Sequence, residues 1–125
     1  MPQPLGNGQP LQLMRAFRAG ATFSTATTGT ITVPAGATRI QKIVLSITED
    51  AKQATAGDIL ITLSTATDTI FSEYVYIPAS AGTSAGEAWH RDIPFDGLAF
   101  PAGLVTWTLS AALTGGRGSI NLYFS

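Results

Sequence analysis

Residues 104–125 read LVTWTLSAALTGGRGSINLYFS. Val105, Trp107, Leu109, Ala111 and Leu113 alternate with Leu104, Thr106, Thr108, Ser110 and Ala112. After the turn-forming run Thr114 to Gly118, Ile120, Leu122 and Phe124 alternate with Ser119, Asn121, Tyr123 and Ser125. A period of two means extended strands with one buried face. The stretch is expected to form a single hairpin, with Val105, Trp107, Leu109, Ile120, Leu122 and Phe124 in the core. Its other row, including Leu104, Thr106, Thr108, Ser110, Asn121 and Tyr123, is nearly uncharged. A subunit contact is expected there first.

Toward the N-terminus the same alternation recurs. Pro101-Ala102-Gly103 reads as a turn that repeats Pro34-Ala35-Gly36, with Leu98 to Phe100 a short strand and Asp96-Gly97 a further turn. Trp89, Arg91, Ile93 and Phe95 alternate with Ala88, His90 and Asp92, and Pro94 either ends that strand early or places it on an edge. Residues 78–86 form a small-residue loop. From Ile70 to Ile77, Phe71, Val75 and Ile77 share one face and Tyr74 and Tyr76 the other. Ile59, Ile61 and Leu63 mark the preceding strand, after a loop from Glu49 to Gly57. In the longest strand, Thr38 to Thr48, Ile43, Leu45 and Ile47 are in phase and Ile40 is not, which predicts a β-bulge near Gln41-Lys42. Ile31 and Val33 point inward within a Thr-rich segment, and Leu11 to Arg18 reads as the first strand.

This is the pattern of an all-β, antiparallel β-sandwich, jelly-roll-like and of about eight strands. Residues 11–125 form a single β-sandwich domain. Residues 1–10, rich in Pro, Gly, Gln and Asn, form a flexible or extended N-terminal arm.

Composition narrows the function. The chain has no cysteine, which excludes thiol catalysis, disulfides and zinc–thiolate sites. Only 12% of residues are charged, and the net charge is −1. Ordinary soluble domains carry about 25% charged residues. The low charge content fits either a plain Thr/Ser-rich β surface or a surface covered in an assembly, and the mean hydropathy of +0.24 favours the assembly. The basic residues are scattered, so no nucleic acid partner is expected. No apolar run suits a membrane helix and no secretory signal is visible, so no membrane partner is expected either.

Reactive groups are few. His90 is the single histidine, with only Asp92 on its face, so neither catalysis nor metal binding is expected. Asp58, Asp68, Asp92 and Asp96 read as turn or strand-end residues, and Gly115-Gly116-Arg117-Gly118 as a turn between strands. No cofactor is expected. Tyr74, Tyr76, Trp89 and Tyr123 could form a sugar-stacking platform, although core and interface packing is the stronger expectation.

The segment from Pro94 to Leu104 (PFDGLAFPAGL), the Trp/Thr strand after it, the repeated Pro-Ala-Gly turns and the ending INLYF at 120–124 carry a resemblance. They resemble the small β-rich structural proteins of tailed-bacteriophage virions, particularly capsid decoration (cement) proteins. The resemblance implies a non-enzymatic homotrimer that binds the major capsid protein on the virion exterior and bridges capsid subunits, after assembly in the host cytoplasm. The candidate contacts are Pro4, Leu5, Pro10, Leu11 and Leu13 in and beside the arm, and Thr106, Thr108 and Tyr123. The alternative is a carbohydrate- or receptor-binding module of a fibre or adhesin, which requires exposed aromatic rings.

Overall fold

The computed structural model describes residues 16–81 and 86–125. The arm, including Pro4, Leu5 and Pro10, lies outside the described residues, as do Leu11 and Leu13. Among the described residues there are ten strands and no helix: β1 (Phe17–Phe23), β2 (Thr28–Thr32), β3 (Arg39–Ile47), β4 (Lys52–Gln53), β5 (Gly57–Ser64), β6 (Thr69–Ile77), β7 (Trp89–Ala99), β8 (Leu104–Leu109), β9 (Leu113–Gly115) and β10 (Gly118–Phe124).

Eight of these build two four-stranded antiparallel sheets. Sheet I has the order β1-β10-β3-β7 and sheet II the order β2-β8-β5-β6, while β4 pairs with β9 alone. Among the eight principal strands, each successive strand passes to the opposite sheet, except that β5 and β6 form a hairpin around Thr65–Asp68. That alternation is the jelly-roll order.

The two strands of the C-terminal stretch therefore do not form the expected hairpin. β8 lies in sheet II between β2 and β5, and β10 lies in sheet I between β1 and β3. Alternation reports which face a strand buries, but not which strand it pairs with. Ser110 ends β8 by pairing with Leu60: its amide donates to the Leu60 carbonyl, and its hydroxyl accepts from the Leu60 amide. The chain then crosses the end of the sandwich through β9. It enters sheet I where the Thr48 amide donates to the Arg117 carbonyl and the Arg117 amide to Thr48 Oγ1. The inward rows are still the core. Val105, Trp107 and Leu109 are buried on one sheet, and Ile120, Leu122 and Phe124 on the other.

The bulge expected in the longest strand is present. The register of β3 shifts between Ile40 and Lys42 against both neighbours, so Ile40 and Ile43 are both fully buried despite their odd spacing. The extra residue, Gln41, bonds Ser125 Oγ through its side-chain amide at 2.7 Å.

Opposite that bulge the expectation at Asp96-Gly97 is corrected. It is not a turn that separates two strands. Asp96 (φ 53°) and Gly97 (φ 83°) take left-handed conformations inside one strand, β7, which pairs with β3 on both sides of the kink. Three residues, 95–97, stand opposite the single Gln41. β7 is an edge strand, which accommodates Pro94, and of the two expected outcomes it is the edge position that holds.

The first described strand starts at Phe17, and its inward residues Ala19 and Ala21 are small. Most of the strand expected at Leu11 to Arg18 lies outside the described residues.

Candidate functional site

Stacking the sheets gives the molecule two outer faces and two open sides. On sheet II the outward residues fall into cross-strand rows. Thr28, Thr108, Thr62 and Ser72 form one row through all four strands, and Thr30, Thr106 and Ser64 form another. Leu104 stands beside Thr32 at one end of this face. At the other end, Leu60 is opposite Tyr74 and Asp58 is opposite Tyr76. Asp58 is the only charged residue in these outward strand positions. On sheet I the outward positions carry Arg18, Lys42, His90 and Asp92. Arg18 bonds Asn121 through Nη1, and Lys42 Nζ lies 5.1 Å from the centre of the Tyr123 ring.

The candidate contact residues are therefore divided. Thr106 and Thr108 belong to the hydroxyl-rich face of sheet II, and Tyr123 to the charged face of sheet I. The outward row of residues 104–125 is split between opposite sides of the molecule because its two strands sit in different sheets.

The aromatic candidates are divided too. Tyr74 and Tyr76 are 65% and 62% exposed, so they are not core residues. Trp89 is half-buried. With Val75, Gly86, Glu87 and Ala88, these three rings line a cleft of about 460 Å³ between β6 and the start of β7. Tyr123 lies elsewhere, under Lys42.

This open side of the sandwich has a definite construction. β6 and β7 are the edge strands of opposite sheets. Between them Arg91 Nη2 donates to Glu73 Oε1 at 2.6 Å, an ion pair linking the two sheets at the surface. Charged residues at inward positions of edge strands hinder pairing with another chain. A second cleft of about 380 Å³ lies farther along, lined by Ile40, Ile70, Phe95, Leu98 and Phe100 among others.

Gln53 is a residue that the sequence did not mark. It is the one buried polar side chain among the described residues. Its Nε2 donates to the carbonyls of Gly57 (2.8 Å) and Ile77 (2.9 Å), and its backbone bonds Pro78 and Ser80. It ties the Glu49–Gly57 segment to the end of the β5–β6 hairpin. Nothing in a polar loop sequence distinguishes a buried Gln from an exposed one.

No group of three or more His, Asp or Glu side chains is placed to hold a metal among the described residues. His90 is exposed on the outer face of β7, paired in register with Ser46. Architecture and surface together define a class, an all-β jelly-roll sandwich with one hydroxyl-rich face on which Asp58 is the single charged strand residue. Comparison with known proteins finds no matching family model and no matching curated protein.

Proposed function

We propose that this protein is a structural virion protein of the capsid decoration (cement) type, which attaches to the major capsid protein and to copies of itself. The observation that carries this reading is the outer face of sheet II, charged only at Asp58, with Thr28, Thr30, Thr106, Thr108 and Thr62 in aligned rows. Bringing a charged surface into a protein contact costs several kcal/mol per unpaired ion. A threonine face avoids that cost, since its methyl groups pack and its hydroxyls find new partners. The charged outer face of sheet I is the one suited to solvent. The Pro/Leu-rich arm supplies a second grip through Pro4, Leu5, Pro10, Leu11 and Leu13, and many copies on one lattice act together.

The test is co-sedimentation of the full chain with capsid shells encoded in the same genome, together with its native mass. Wild type is expected to pellet with the shells and to run as a trimer. Thr108→Lys, which introduces a charge in the middle of the longest hydroxyl row, is expected to lose both properties while keeping its unfolding midpoint. Removal of residues 1–10 is expected to weaken pelleting only. A Thr108→Lys variant with wild-type mass and occupancy removes sheet II as the contact.

A further inference from the structure

We propose that the cleft between β6 and the start of β7 binds neutral pyranose sugars, with Tyr74 and Tyr76 as the stacking platform, Trp89 as the wall and Glu87 as a hydrogen-bond acceptor. Tyr74 and Tyr76 are two residues apart on one strand and leave it on the same side. Their Cα atoms are then about 6.6 Å apart, enough for two rings to underlie a sugar chain rather than a single atom group. Both rings are more than three-fifths exposed. Tyr and Trp are suited to this chemistry. Their flat faces carry partial negative charge that attracts sugar C–H groups, and their O–H and N–H groups bond sugar hydroxyls.

The lining selects the class of sugar. Glu87 is the one charged residue among the described residues that line the cleft, and Asp58 is directly opposite Tyr76 in the sheet register. Both are acceptors for hydroxyl donors, and both repel carboxylated or sulfated sugars. No cation lines the cleft among the described residues, and the arginine of β7, Arg91, is engaged by Glu73. A volume of about 460 Å³ is within the range of small-ligand sites, roughly 300–1,000 Å³.

Tyr74 and Tyr76 share the outer face of sheet II with the hydroxyl rows, but none of the row threonines is among the described residues that line the cleft. It opens at the β6/β7 side of the sandwich, as the inward-phase residues Val75 and Trp89 in its lining show.

The intrinsic fluorescence of the full chain provides the readout. Trp107 is 4% exposed and constant, whereas Trp89 faces the cleft. Titration with lactose, maltotetraose, cellotetraose and chitotetraose is expected to give a saturable change with at least one of them. 3′-Sialyllactose is expected to give a weaker response than lactose. Tyr74→Ala and Tyr76→Ala should each weaken the response about fivefold or more, and Tyr74→Phe should retain it. Thr108→Lys, outside the cleft lining, should leave it intact, which distinguishes the cleft from the hydroxyl rows. The proposal is overturned if all four neutral sugars are silent, if the alanine variants respond like wild type, or if the acidic sugar binds more tightly.

Discussion

Two glycines decide how the core closes. Gly118 on β10 is paired with Phe23 on β1, and Gly29 on β2 is paired with Trp107 on β8. A Cβ on Gly118 would overlap the Phe23 ring, and one on Gly29 would lie 2.6 Å from Trp107. Each glycine gives up its side-chain volume to an aromatic on the neighbouring strand. The two rings then meet between the sheets, with centroids 5.6 Å apart and planes tilted by 37°. Gly118→Ala is expected to destabilise the fold by about 1–3 kcal/mol, the range for overpacked cores. Urea unfolding measures this loss, and adding Phe23→Leu should recover part of it, because the strain is a contact between those two residues. An unchanged midpoint for Gly118→Ala would show that the ring has space to move. In the sequence, Gly118 belongs to a glycine-rich run that reads as a turn. Its role as a socket appears only when the register places Phe23 beside it.

At the scale of the element, the short pair β4–β9 covers one end of the sandwich, and Gln53 secures it. Its two side-chain bonds satisfy the carbonyls of Gly57 and Ile77, which face each other across the β5–β6 ladder. Gln53→Ala leaves both without that donor in a buried place. The expected cost is about 1–3 kcal/mol, read by thermal or urea unfolding. Amide exchange should localise the loosening to residues 50–57 and the end of β6. Uniform loosening over both sheets would mean that β4 is part of the global core and not a local cover.

The strands themselves were largely legible. Alternation marked Ile31 and Val33, Ile59, Ile61 and Leu63, Val75 and Ile77, and all are buried. Phase also revealed the bulge at Gln41, because Ile40 and Ile43 cannot share a face in a regular strand. The misread at Asp96-Gly97 has a physical basis, since the residues that favour left-handed φ in turns also favour it in bulges.

At the scale of the whole molecule, the few charges are distributed unevenly. The outward strand positions of sheet I carry Arg18, Lys42 and Asp92, and those of sheet II only Asp58 at one corner. The asymmetry makes the loss of assembly in Thr108→Lys a directional prediction. Val44→Lys, on the outer face of sheet I, is expected to leave native mass and pelleting unchanged. Equal effects from both substitutions would show that no face is preferred. The low charge content is visible in the composition, but its uneven distribution between the two faces is not.

The sequence by itself determined the strand phases, the core rows and the bulge, and it narrowed the strand around Pro94 to an early end or an edge position. These are local consequences of side-chain period, proline and turn chemistry. The tertiary structure alone decided that β8 and β10 lie in opposite sheets, because pairing is a choice among distant partners with similar faces. That choice placed Thr106 and Thr108 in one hydroxyl surface and Tyr123 behind it. It also brought Tyr74, Tyr76 and Trp89 together at an edge, although 12 residues separate Tyr76 from Trp89 in the chain. Local periodicity sets which way a side chain points, and only the packing of whole sheets sets what it points at.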